Sequence, residues 1–189
     1  MAVRTPLVRL HAPEVPAEIW LKLETLQPIG SFKIRGAANA IAQLSADETR
    51  DGIWTVSAGN AAQGVALAAK RAGLRCSVLV MDTAPAVKLD AIRRLGAEIV
   101  QAPHDECWDT LESRSNPRMR GHFIHPFDDD AFISGNGTAG LEILEDLPDV
   151  DAVVAAVGGG GLLSGIGCAV RALKPGVRIY SAEPETASP

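Results

Sequence analysis

The stretch Ala152-Val153-Val154-Ala155-Ala156-Val157-Gly158-Gly159-Gly160-Gly161-Leu162-Leu163-Ser164-Gly165 decides the fold. Its six leading apolar residues read as a buried strand, and Leu162–Leu173 reads as a helix stopped by Lys174-Pro175-Gly176. Four consecutive glycines are entropically costly, so the backbone there must reach something closely. A strand, a glycine run and a helix start together make an anion cradle, because bare N–H groups converge where the helix dipole favours negative charge. The apolar run Val177–Ala182 then gives a second strand.

Outward from this unit the same alternation recurs. Strand-like Ile53–Val56 precedes a helix over Ala61–Ala72, Cys76–Met81 precedes a helix over Ala86–Leu95, and Ile99–Ala102 precedes a weaker helix near Trp108–Arg114. His122–Ile124 follows, then a helix across Gly140–Leu147. Nearer the start, Ile19–Leu23 alternates like a strand, and Ser31 is placed to cap a helix over Phe32–Leu44. Buried parallel strands need crossover helices and read as continuous apolar runs, so the pattern predicts an α/β fold with a parallel sheet. Asn116-Pro117 breaks the weakest helix, and the chain stops just after a strand, without the helix that would cover it. It reads as cut short.

Composition narrows the function classes. With 47% apolar residues the chain can build a substantial core, and a net charge of −5 without a basic run argues against nucleic acid as a partner. The three cysteines are odd in number and dispersed, as free thiols in a reducing cytoplasm are. No leader pattern opens the sequence and no apolar run is long enough for a bilayer, so a soluble protein without membrane contact is expected.

Ligands of open α/β sheets lie at the carboxyl ends of the strands, and two further loops qualify there. In Gly30-Ser31-Phe32-Lys33-Ile34-Arg35-Gly36 a lysine occupies the first turn of a helix, where the amide dipoles already place positive charge. Burial there would favour the neutral amine, which can attack an aldehyde. Read alone, Lys33 is better explained as an ordinary exposed lysine beginning a helix. In Ser57-Ala58-Gly59-Asn60-Ala61-Ala62-Gln63-Gly64, the Ser57 hydroxyl and the N–H groups opening the helix can accept a carboxylate, or Ser57 and Asn60 can simply cap it.

Other chemistries fit less well. A dinucleotide-binding oxidoreductase would use the glycine run with Glu183 on the ribose, but G-x-G-x-x-G read from Gly158 or Gly159 places Leu163 or Ser164 at the last glycine. His104 and Cys107 form one possible metal pair without a second, and His122 and His125 point to opposite faces of a strand. There is no G-x-S-x-G elbow.

Three segments remain to be read together: Lys22-Leu23-Glu24-Thr25-Leu26-Gln27-Pro28-Ile29-Gly30-Ser31-Phe32-Lys33-Ile34-Arg35-Gly36-Ala37, then Ser57 to Asn60, then His125-Pro126-Phe127-Asp128-Asp129 with Gly135-Asn136-Gly137-Thr138. With Gly158 to Leu162, and in this order, they resemble the fold-type II pyridoxal-phosphate enzymes, in particular the threonine and serine dehydratase branch. The resemblance implies a two-lobed architecture like that of the tryptophan synthase β chain, with a small domain over residues 52–134 and an incomplete large domain from 1–51 and 135–189. It implies that pyridoxal 5'-phosphate binds covalently at Lys33, that Phe32 and Asn60 contact its ring, and that Gly158, Gly159, Gly160, Gly161 and Leu162 hold its phosphate. Ser57, Ala58, Gly59 and Asn60 would hold the carboxylate of an amino-acid substrate. The implied reaction is β-elimination from L-threonine or L-serine to a 2-oxo acid and ammonia, in a homo-oligomer, by family resemblance a dimer.

Related serine racemases carry a serine acid where Ala58 stands, which favours dehydration here. Ala61 occupies a position that is His in many threonine dehydratases and Ala in serine dehydratases, so the substrate stays open. Family members run well past this length and supply a Ser, Cys or Thr to the pyridine nitrogen, which leaves a non-catalytic homologue that keeps the fold as the alternative. Glu183 and Ala187 match the start of a metal site in racemase-like members, but Pro189 falls where a carboxylate belongs; no metal is expected.

Overall fold

A computed structural model describes residues 1–187, so Pro189, on which the metal expectation turns, lies outside the described residues. Among the described residues, eight strands and six helices alternate. They are β1 (Leu7–Leu10), β2 (Ile19–Lys22), α1 (Lys33–Ala42), β3 (Ile53–Val56), α2 (Asn60–Ala72), β4 (Cys76–Met81), α3 (Ala86–Arg94) and β5 (Glu98–Ala102). The chain continues with α4 (His104–Ser113), β6 (His122–Phe123), α5 (Asp130–Asp146), β7 (Ala152–Ala156), α6 (Gly161–Leu173) and β8 (Arg178–Ala182).

The fold is α/β with parallel sheets, as the alternation predicts. One sheet runs β5-β4-β3-β6 and a second pairs β7 with β8, all parallel. Successive side chains of a strand point to opposite faces. Ile53 of β3 with Val78 and Val80 of β4 therefore packs with α2, while Trp54, Val56 and Leu79 pack with Cys107 of α4. Burial on both faces is why these strands read as unbroken apolar runs. The β7–β8 pair is covered on one side by Ile143, Ile166 and Val170 of α5 and α6, and Val154 and Tyr180 are exposed.

Helices α2, α1, α5 and α6 pack in that order, and glycines sit where their backbones approach. A Cβ on Gly64 would lie 3.1 Å from the Lys33 carbonyl oxygen, one on Gly135 2.4 Å from that of Arg35, and one on Gly165 2.3 Å from that of Ile133. Phe132, fully buried, closes the α1–α5 junction against Gly36.

Several elements depart from the sequence reading. The strands β1 and β2 form an antiparallel hairpin, of which only the second strand is expected from alternation. Helix α5 begins ten residues before the expected Gly140, capped by Asp129, whose carboxylate accepts the Phe132 N–H at 2.7 Å. Gly135, Gly137 and Gly140 lower intrinsic helix propensity, and close packing against α1 and α6 overrides it. Helix α4 likewise starts at His104, four residues before the expected Trp108, with Asp105 and Glu106 in its first turn. Helix α1 is shorter than expected by one residue at its start and two at its end; the Ser31 hydroxyl nonetheless accepts the Lys33 N–H at 3.3 Å.

Candidate functional site

Lys33 is the first residue of α1, and no acidic side chain sits in that first turn. Its Nζ donates to the Pro126 carbonyl at 2.6 Å and lies 5.4 Å from the ring centroids of both Phe32 and Phe132. Burial pushes its pKa from the ordinary 10.5 down to about 8. The Pro126 carbonyl can accept from a neutral amine as well as from an ammonium, so the bond aims the nitrogen without requiring the charge. The result is a half-buried amine, substantially unprotonated in mildly basic solution, and hence nucleophilic toward an aldehyde.

Residues 57–59 join β3 to α2 at the carboxyl end of the sheet. Ser57 and Asn60 do not cap α2: Gly59 is its N-cap residue without a side-chain bond, and the Ser57 hydroxyl instead accepts from the Gly59 N–H at 3.1 Å. The first α2 backbone bond runs from the Gln63 N–H to the Gly59 carbonyl, and the N–H groups of Asn60, Ala61 and Ala62 find no acceptor among the described residues. Gly64, one turn on, rests on the Lys33 carbonyl, so this helix start and the lysine are neighbours. A cavity of about 130 Å³ opens beside Ser57 and Ala58, walled mainly by Met81, Cys107, Trp108 and Leu111.

The glycine run behaves as a built loop. Gly160 has φ of 79°, a left-handed conformation that disfavours side chains, and α6 starts at the next residue. A Cβ on Gly159 would stand 2.4 Å from the Phe127 ring, and one on Gly161 2.6 Å from the Phe127 carbonyl oxygen. None of the N–H groups of Gly158, Gly159, Gly160, Gly161, Leu162 and Leu163 finds an acceptor among the described residues; the first helical bond is Ser164 N–H to Gly160. Six consecutive free donors at a helix start form a donor set that suits a phosphate. The residues present thus fit a phosphorylated aldehyde: a reactive amine at Lys33 and an anion cradle at Gly158–Leu162.

Sequence reasoning quotes the 125–129 segment within the resemblance but gives no role to it, and this segment ties these parts together. His125 is buried, its Nδ1 accepts the Asp128 N–H at 2.8 Å, and desolvation holds its pKa below the usual histidine range. Its ring meets that of Phe127 edge-on at 4.6 Å. This fixes a turn that presents Pro126 to Lys33 and Phe127 to the glycine run. His125 sits beyond the end of β6, in that turn, rather than on a strand with His122. His104 stacks on exposed Trp108 while Cys107 is buried, so that pair does not converge, and among the described residues no cluster of three His, Cys, Asp or Glu could hold a metal.

A second missed feature anchors α1. Buried Arg35 bonds Glu24 at 2.7 and 2.8 Å and Glu142 at 2.7 and 2.8 Å, and Lys22 bonds Glu142 at 2.6 Å. Paired carboxylates in sequence-distant segments leave no local signal. Despite the cost of burial, Arg35 and its companions hold the Glu24 and Glu142 carboxyls below their usual range.

Comparison with known proteins gives the family. The chain is 46% identical over 170 residues to an L-threonine ammonia-lyase of Thermotoga maritima, covering 89% of this chain and 42% of that protein. It is 43% identical over 173 residues to human serine racemase, covering 89% and 51% respectively. The chain thus spans about half the length of the curated relatives it matches. Among solved structures, it superimposes with a TM-score of 0.91 on maize serine racemase, at 35% identity over 97% of this chain and 57% of that one. With the processed form of threonine deaminase isoform 2 from Solanum lycopersicum the TM-score is 0.87, at 35% identity over 97% and 51%. The family model described as "Pyridoxal-phosphate dependent enzyme" matches residues 2–189, and the chain belongs to that family.

Proposed function

We propose that the protein is a pyridoxal-phosphate-dependent dehydratase that converts L-threonine or L-serine to a 2-oxo acid and ammonia. The observation that carries this reading is the Lys33 amine, half-buried between two aromatic rings, aimed by Pro126 and titrating near pH 8. In this reading Lys33 binds the cofactor aldehyde, Phe32 and Asn60 contact its ring, and Gly158 to Leu162 hold its phosphate. Ser57 to Asn60, with the free N–H groups of α2, hold the substrate carboxylate. When bound, the cofactor supplies a conjugated electron sink that makes the Cα proton removable. The Lys33 amine, freed when the substrate amino group takes its place on the aldehyde, would be the base that takes this proton. The β-hydroxyl would leave as water with the proton that Lys33 has taken, and the released enamine would tautomerise to an imine that water hydrolyses to the 2-oxo acid and ammonia.

Ala58 has no proton to return on the opposite side of the substrate, which supports elimination over racemisation. We place the domain boundary so that residues 52–134 form a small domain around the four-stranded sheet, with 1–51 and 135–189 contributing to a larger one. The three free thiols suit a reducing cytoplasm, and a homodimer is the expected assembly. No described helix is long and apolar enough to cross a membrane.

The test is keto acid release from threonine and serine by the protein supplied with pyridoxal 5'-phosphate. Turnover lost in Lys33→Ala supports the reading. Turnover that survives that change rejects Lys33 as the base, and cofactor uptake without any turnover identifies a non-catalytic homologue.

A further inference from the structure

Asn136 lies midway along α5 and is fully buried. Its Nδ2 donates to the Gly161 carbonyl at 3.1 Å, whereas its Oδ1 has no partner among the described residues. A buried acceptor left unpaired is unfavourable, and an apolar side chain would avoid it. Packing alone therefore does not explain an asparagine here. The contact is possible because α5 and α6 nearly touch: a Cβ on Gly137 would stand 2.9 Å from the Gly165 carbonyl oxygen, and one on Gly165 2.7 Å from the Gly137 nitrogen.

We infer that Asn136 is a positioning residue for the glycine loop, holding the Gly161 carbonyl from behind so that the loop's N–H groups face a bound phosphate. This rests on the reading of Gly158–Leu162 as the phosphate site. The peptide unit is planar and trans, so its C=O and N–H point in opposite directions. Fixing the carbonyl of Gly161 fixes the N–H of Leu162, which lies in that same peptide unit and has no acceptor among the described residues. Phe127 also packs closely against Gly159 and Gly161. The loop is thus held by an amide and a ring, and it meets the anion without first having to order itself, which is the general basis of preorganised binding.

The experiment separates phosphate anchoring from general stability. Asn136→Asp keeps the shape but replaces the donor with an acceptor that opposes the Gly161 carbonyl. Dissociation constants for pyridoxal 5'-phosphate and for pyridoxal, which lacks the phosphate, are measured by absorbance titration of the full chain. The expected result is affinity for the phosphorylated form weakened by about tenfold or more, with affinity for pyridoxal changed by less than about twofold. Equal weakening of both ligands, or no change in either, overturns the inference. If the unsubstituted chain binds neither, or binds both equally tightly, the phosphate-site reading itself fails and the inference with it. Should the variant not fold, the side-chain NH2 resonances of Asn136 in the unsubstituted protein decide: they shift on adding inorganic phosphate if the inference holds, and their failure to move overturns it.

Discussion

The Lys33 nitrogen is held 2.6 Å from the carbonyl of Pro126, a residue 93 positions away in sequence. Because Phe127, the next residue, packs closely against Gly159 and Gly161, a single turn sets both the amine and the anion cradle. The separation between them is thereby built into the fold before any ligand arrives.

The lowered pKa of Lys33 predicts how covalent capture depends on pH. Only the neutral amine attacks an aldehyde, so the rate should climb as pH rises and level off above about 8, instead of climbing toward the ordinary 10.5. Stopped-flow absorbance with pyridoxal 5'-phosphate checks this. The same shift has a signed effect on stability. Between about 8 and 10.5 the unfolded chain binds more protons than the folded one, so the stability of the cofactor-free protein relative to Lys33→Met should rise with pH across that window. Denaturant titrations at several pH values measure it.

Arg35→Met should be severely destabilising. The side chain is 2% exposed, and its removal strands the Glu24 and Glu142 carboxylates in a poorly hydrated site, at about 3–5 kcal/mol. Both carboxyls titrate below their usual range, so the stability they contribute is present at neutral pH and lost as pH falls through that range. The gap between the two proteins should accordingly narrow in acid, as urea midpoints at neutral and acidic pH would record.

A pair of substitutions in α6 tests the close approach of helices. A Cβ at Gly165 would stand 2.3 Å from the Ile133 carbonyl oxygen, so Gly165→Ala should cost about 1–3 kcal/mol by forcing α5 and α6 apart. At Gly167 the nearest atom is the tip of Ile179 at 3.8 Å, and Gly167→Ala should be neutral or gain up to about 1 kcal/mol from helix propensity. Thermal unfolding of the two variants distinguishes a packing requirement from a general dislike of alanine.

Ala58→Ser would place a hydroxyl at the position that the resemblance assigns to the acid of serine racemases. Chiral chromatography of L-serine incubated with the cofactor-loaded variant should reveal D-serine that the unsubstituted protein does not form. Absence of D-serine from the variant would mean that Ala58 is not what directs the chemistry to elimination.

Much of this is legible in the sequence because it is local. The apolar runs of β3, β4 and β7, the misplaced charge at Lys33 and the glycine run each carry their physics within a few residues. Helix α5 is half hidden because its glycines answer to the backbones of α1 and α6 and not to its own propensity. Strand β1, Leu-Val-Arg-Leu, is largely exposed and lacks a regular apolar–polar alternation to register. The Arg35 network and the His125–Phe127 brace join segments whose proximity exists only in the fold, and no spacing rule reaches them.

The most direct test of the central claim is borohydride reduction of the protein after incubation with pyridoxal 5'-phosphate, followed by peptide mass mapping. The account predicts one stable adduct, on Lys33, and its absence from Lys33→Ala. A protein that acquires no adduct, or carries it on Lys22, Lys70, Lys88 or Lys174 instead, would contradict the assignment of Lys33 as the residue that holds the cofactor.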